Sequence, residues 1–131
     1  MLGRKRRTAK IDSLIGHNTE IVGNIVFTGG LHIDGKVKGN IVATEAGALL
    51  ALGDQGVIEG EVRVTNVVLH GRIQGDVHAA ERIELAANAR VAGNVYYSLI
   101  EMAMGAEVNG QLVHRSETVS PDSGDGNGDK A

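Results

Sequence analysis

Five histidines and two pairs of close acids are the residues of this chain whose types could do chemistry. His17, His32, His70, His78 and His114 could ligate a metal or carry protons near neutral pH. Glu59/Glu61 and Glu81/Glu84 could serve as paired carboxylates for general acid–base work. Their spacing argues against both uses. No His-x-His or His-Glu-x-x-His pair occurs, and there is no Walker-type phosphate loop, Gly-x-Ser-x-Gly or Gly-x-Gly-x-x-Gly. The absence of cysteine removes thiolate metal sites and disulfides. The Ca²⁺-binding nonapeptide of some β-solenoids is also missing. No catalytic residue, metal or cofactor is therefore expected. The histidines and acids read as solvated surface groups, with no cleft to move a carboxylate's titration. His114 is the exception, expected to cap the end of the repeat array set out below.

A different cluster does stand out. Arg4, Lys5, Arg6, Arg7 and Lys10 fall within the first ten residues with no acid among them, although the whole chain carries −3. Together with Met1 and Leu2 this head, residues 1–10, has three open readings: a solvated tail, a nucleic-acid arm or a membrane anchor. Each basic residue near an anionic bilayer contributes about 1 kcal/mol, and an assembly that repeats the head would multiply a weak hold. Residues 116–131 are rich in Ser, Gly and Asp and are expected to be a disordered acidic tail. No apolar run approaches the ~20 residues of a membrane-spanning helix. No apolar stretch follows the basic run as a secretory signal would require. A cytoplasmic location is expected.

The elements that position these residues lie between head and tail, over residues 11–115. Aromatic anchors are few, only Phe27, Tyr96 and Tyr97, while glycine is abundant at 19 residues. The core must come from Val, Ile, Leu and Ala. Gly followed by a polar residue and a branched aliphatic recurs at Gly23, Gly39, Gly60, Gly75, Gly93 and Gly110, at intervals of 16, 21, 15, 18 and 17. Aligning on that Gly exposes columns. Two residues earlier stand Ile21, Val37, Ile58, Ile73, Val91 and Val108; two residues later stand Ile25, Ile41, Val62, Val77, Val95 and Leu112. A further two along come Phe27, Ala43, Val64, Ala79, Tyr97 and His114. Earlier in each repeat lie Ile15, Ile33, Leu52, Leu69, Leu85 and Met102, preceded at two residues by Ser13, Leu31, Leu50, Val67, Ile83 and Ile100.

This period-two alternation is that of strands with one buried face. No stretch sustains apolar residues at i, i+3, i+4 and i+7. A repeat of about 17 residues is too short for helix-pair solenoids. Three short strands and their corners account for it. Such a coil cannot bury its apolar face alone, so six must stack at about 4.8 Å per step into a parallel β-helix roughly 30 Å long. The irregular coil length favours a right-handed helix over a left-handed one, which keeps a strict hexapeptide beat. Thr44–Ala48 is expected to bulge outward. The short corners at Gly35 and Gly71 are expected to need positive φ. Asn24, Asn40, Glu61, Asp76, Asn94 and Gln111 should form an outward ladder of stacked amides, and Lys38 should neighbour Glu59.

These residues resemble the bactofilin family of bacterial cytoskeletal proteins. The resemblance is carried by Ile21-Val22-Gly23-Asn24-Ile25, by Gly30-Leu31-His32-Ile33-Asp34-Gly35-Lys36-Val37-Lys38-Gly39-Asn40-Ile41, and by Leu52-Gly53 through Gly56-Val57-Ile58-Glu59-Gly60-Glu61-Val62. The pattern continues to about Leu112 and covers most of the body. The resemblance implies a right-handed β-helix that polymerises without nucleotide into non-polar filaments and scaffolds cell shape, polarity or wall synthesis. It also implies a short membrane-targeting peptide, which Met1-Leu2-Gly3-Arg4-Lys5-Arg6-Arg7 resembles with Leu2 where an aromatic residue is common. A location at the inner face of the cytoplasmic membrane follows from the same resemblance.

The two ends of the stack should be the polymerisation surface. Terminal coils carry open ladders of N–H and C=O groups, and a monomeric solenoid normally caps them. No cap is evident in the sequence. The first coil offers Leu14, Ile15, Ile21, Val22 and Ile25; the last offers Tyr97, Leu99, Ile100, Met102, Val108 and Leu112. Partners are then the chain itself, anionic lipid, and wall or polarity proteins, rather than nucleic acid. Two other classes stay open: a monomeric β-helix that binds a protein partner, and a left-handed, acyltransferase-like enzyme.

Overall fold

The computed structural model describes residues 12–115. The basic head and the acidic tail assigned above lie outside them. The described chain is a parallel β-solenoid of six coils with no helix. The first coil is β1 (Ser13–Ile15), β2 (Glu20–Val22) and β3 (Ile25–Val26), and the second is β4 (Gly30–Ile33), β5 (Lys36–Lys38) and β6 (Ile41–Ala43). The third begins with β7 (Leu49–Leu52) and β8 (Val57–Glu59). From there single strands turn the corner between coils. β9 (Val62–Leu69) closes the third coil and opens the fourth, followed by β10 (Arg72–Gln74). β11 (Val77–Leu85), β12 (Arg90–Ala92), β13 (Val95–Met102), β14 (Glu107–Asn109) and β15 (Leu112–His114) complete the fifth and sixth.

Every strand pairs in parallel with its equivalents one coil away. One face is the ladder β2-β5-β8-β10-β12-β14; the other two are joined into one sheet by the bending strands β9, β11 and β13. Those strands are eight or nine residues long, longer than the three short strands per coil expected, because the corner after the third face needs as little as one residue, Thr65. The corner that joins coils four and five has two residues, Ala80 and Glu81, where β9 and β13 have one, which breaks the register between Ala79 and Arg82.

In-register stacking converts each sequence column into a wall of the core. Ile33, Leu52, Leu69 and Leu85 line one face; Val37, Ile58, Ile73 and Val91 the second; Ile41, Val62, Val77 and Val95 the third, all at most 2% exposed. Thr65 is the one buried polar residue among those described, and its hydroxyl donates to the Glu45 carbonyl at 2.8 Å. Thr44–Gly47 bulge outward as expected, but Ala48 tucks back into the core at 0% exposure.

The glycines have a cross-coil cause. Gly23, Gly39, Gly60, Gly75 and Gly93 all hold φ between 138° and 157°, a region that L side chains rarely adopt. From Gly39 onward a Cβ would also strike the carbonyl of the equivalent Gly one coil earlier. Gly35 and Gly71 correct the expectation of positive φ, since neither appears among the positive-φ glycines. Their short corners lie against longer ones, and a Cβ would meet the carbonyls of Gly16 and Thr19, or of Gly53 and Gly56. Gly60→Ala is accordingly expected to lower stability by about 1–3 kcal/mol from backbone strain alone, read as a drop in urea midpoint with unchanged slope. An unchanged midpoint would contradict this account.

Two outward ladders form with different chemistry from that expected. The Asn24 side-chain carbonyl accepts from the Asn40 backbone N–H at 3.0 Å, Asn40 accepts from Glu61 N–H at 2.9 Å, and Asn94 accepts from Gln111 N–H at 3.0 Å. The amides thus bridge to the next backbone rather than stacking on one another. Lys38 does sit opposite Glu59 in the ladder, but their charges pair diagonally: Lys38 with Glu20 at 3.5 Å and Glu59 with Lys36 at 3.4 Å.

Candidate self-assembly surfaces

The two terminal coils differ from the four between them in having a neighbour on one side only. β1, β2 and β3 pair with β4, β5 and β6 and, among the described residues, with nothing before them. At the other end β14, β15 and the second half of β13 pair only with the fifth coil. Half of the backbone hydrogen-bonding capacity of these strands therefore points out of the stack, as at any sheet edge. No helix covers either end among the described residues.

The apolar columns also end there. Ile15, Ile21, Ile25 and Phe27 are only partly buried, packed on the core from the first coil. Ile100 and Val108 do the same from the last. Tyr97, expected with them, belongs instead to the fifth coil, where β13 pairs it with His114 of the sixth, so it is not an end residue. Met102 and Leu112 are 42% and 44% exposed, although they occupy columns that are dry in the middle coils. These inward residues are the ones the structure brings together as end surfaces. Leu14, Val22 and Leu99 are not among them. They alternate with inward neighbours and so point sideways, at 66%, 75% and 53% exposure. The pleat rule, applied one residue from Ile15 and Ile21, identifies them as outward. The same rule would have found Val26, exposed on the third face beside Ile25. Met104, at the tip of the last long corner, carries no such signal and is 91% exposed.

Most of the chemistry-bearing residues pair with other side chains. Glu61 holds Arg63 at 3.1 Å and His78 at 3.0 Å. Arg82 holds Glu84 and lies 3.0 Å from Glu101. His32 pairs with Asp34 at 3.0 Å, His70 is 3.9 Å from Asp54, and His17 is exposed. His114 continues the Tyr97 column and tilts against its ring. The most ordered arrangement is a stack on the third face. His78 lies parallel to Tyr96 with centroids 4.4 Å apart, and the Arg115 guanidinium sits 4.7 Å over the same ring. The stack lines a shallow groove of about 350 Å³ with Thr65, Ala79 and Ser98. No three metal-ligating groups converge among the described residues.

Met1, Leu2, Arg4, Lys5, Arg6 and Arg7 lie outside the described residues. The first described residue, Asp12, sits at the first coil and accepts a hydrogen bond from Gly30 N–H at 3.0 Å. No described helix is long and apolar enough to cross a membrane.

Comparison with known proteins points the same way. The family model for bactofilin, described as polymer-forming cytoskeletal, matches residues 13–113. The chain is 32% identical over 108 residues to bactofilin BacO of Myxococcus xanthus, covering 82% of this chain and 83% of that one. It is 24% identical over 101 residues to bactofilin BacP of the same organism, covering 77% of this chain but 41% of BacP. No solved structure matches the chain significantly.

Proposed function

The chain belongs to the bactofilin family of polymer-forming cytoskeletal proteins, and from that premise we propose that its copies stack end to end, without nucleotide, into non-polar filaments. The observation that carries this reading is the pair of end coils, which no described residue covers and where open ladders coincide with half-exposed apolar columns. Stacking pairs the edge strands and removes the column ends from water in one step. No bond is made or broken, so no nucleotide is needed to drive it. The filaments would lie at the inner face of the cytoplasmic membrane and support cell shape, polarity or the placement of wall synthesis through wall or polarity proteins. The family is a structural one, and the pairing of the acids and histidines with other side chains supports a role without catalysis.

Sedimentation and negative-stain microscopy of purified full-length protein in nucleotide-free buffer test the proposal. Pelleted filaments are expected. A monodisperse monomer at all concentrations would overturn it and favour the monomeric binding module.

Membrane attachment would run through the basic head. Five cations contribute about 1 kcal/mol each at an anionic surface, and a filament repeats the head at every subunit, so avidity makes the hold tight. Deleting residues 2–10 is expected to abolish co-sedimentation with phosphatidylserine-rich liposomes while filaments persist. Raising the salt should weaken binding of the full-length chain by screening. Equal liposome binding by the truncated protein would exclude the head as anchor. Binding to DNA but not lipid would favour the nucleic-acid reading.

A further inference from the structure

Methionine is unevenly placed in this solenoid. The chain has three, and apart from Met1 both belong to the sixth coil, at Met102 and Met104. Met102 ends the inward column that holds Leu52, Leu69 and Leu85 in the coils before it. There its side chain is 42% exposed, whereas those leucines are at most 2% exposed. Met104 tips a corner whose counterparts carry Asp54 and Gln55, or Ala87 and Asn88, and it is 91% exposed. An aliphatic thioether on an exposed corner, next to another on the end of the core, is not packed away by the described residues of its own subunit.

We infer that Met102 and Met104 are an oxidation site that controls addition of subunits at the last coil; this rests on the end-to-end reading above. Both side chains are open to a peroxide in the free subunit. The sulfur lone pair attacks one peroxide oxygen, the O–O bond breaks, an S–O bond forms and water leaves. Sulfur is oxidised by two electrons and hydrogen peroxide is reduced. The product is a polar sulfoxide. In the free coil it is solvated by water at almost no cost. In a joint the Met102 sulfoxide must enter the apolar column without a partner, which is unfavourable. Oxidation therefore leaves the fold intact and selectively weakens stacking. A methionine sulfoxide reductase restores the thioether, with a dithiol supplying two electrons and ending as a disulfide while water is released. In a filament the joint covers Met102, so assembled subunits are protected and free ends are the vulnerable population.

The test uses full-length protein treated with hydrogen peroxide, with peptide mass spectrometry to locate the added oxygen. One oxygen on each of Met102 and Met104 is expected, slower at Met102 in preformed filaments. The concentration needed for half-assembly should rise on the order of ten-fold, with unchanged circular dichroism, and return to its starting value after treatment with the reductase and dithiothreitol. In the double variant Met102→Leu/Met104→Leu the concentration needed for half-assembly, whatever its untreated value, should be the same before and after peroxide, because leucine carries no thioether to oxidise. Normal assembly by the fully oxidised wild type, equal peroxide sensitivity of the double variant, or loss of the β spectrum on oxidation would each overturn the inference. Failure of the untreated protein to assemble would instead overturn the end-to-end reading, and this inference with it.

Discussion

Val77→Asp is expected to leave no folded protein. Val77 begins β11 at 0% exposure, with Val62 and Val95 directly above and below it, also at 0%. A carboxylate there would lie between two walls of methyl groups with no cation in its column. It would take up a proton rather than stay charged, and the neutral acid would still lack a hydrogen-bond partner. That burial costs roughly 2–7 kcal/mol, on top of the packing lost with valine. A domain of this size has about 5–15 kcal/mol in total. The position aggravates the loss, because each coil of a solenoid touches only its neighbours. A fault in the fourth coil separates three coils on one side from two on the other, and neither fragment buries its columns well. Val62→Asp should behave alike, while Val77→Ala should remain folded at a cost of about 2 kcal/mol. Far-UV circular dichroism and urea titration decide this. A native spectrum with an unchanged midpoint for Val77→Asp would mean that this column is not a dry core.

The same columns explain how much of the molecule was legible in the sequence. Alternation is local, so Ile33, Val37, Ile41 and their successors could be placed inward from spacing alone, and the six-coil stack followed. Contacts between coils were harder to read, since the partner lies some 15 to 21 residues away. Gly35 and Gly71 looked like turn glycines; their cause is the carbonyl of a longer corner one coil below. The Asn ladder was placed correctly, but its bonds run to the next backbone N–H, a detail that depends on side-chain reach across the rise between coils. Lys38 and Glu59 were correctly opposed, yet each found a better diagonal partner. At the ends, Ile15, Ile21, Ile25, Ile100, Val108 and Leu112 fall where inward parity puts them. Leu14, Val22 and Leu99 were grouped with them for being apolar at a terminal coil, and parity turns all three outward.

That distinction decides where a charge should be introduced to stop assembly. Leu112→Arg is expected to give a folded protein that forms no filaments. Leu112 ends the column Ile25, Ile41, Val62, Val77, Val95, and is 44% exposed because no described strand lies beyond it. In a free subunit the long arginine stem can cover Val95 while the guanidinium reaches water. In a stacked joint the same guanidinium would be enclosed by the next copy's apolar column. An uncompensated buried charge costs about 3–5 kcal/mol, which raises the concentration needed for assembly by two orders of magnitude or more. Ile100→Arg should act in the same direction but with some loss of stability, since Ile100 is packed more deeply on the core. Gln74→Arg supplies the control: it adds the same charge to an exposed, outward position of β10 in a middle coil and should leave filaments unchanged. Size-exclusion chromatography with light scattering reads more than presence or absence. In a non-polar filament last coil meets last coil and first coil meets first coil, so Leu112→Arg breaks every second joint and leaves dimers held by their first coils. In a polar, head-to-tail filament every joint contains one last coil, so the variant is a monomer. A dimer supports the two-fold arrangement proposed above, and a monomer would replace it with the polar one. Filaments persisting in both end variants would exclude stacking through this coil and leave lateral contacts, with exposed Leu14, Val22 and Val26 the first residues to test.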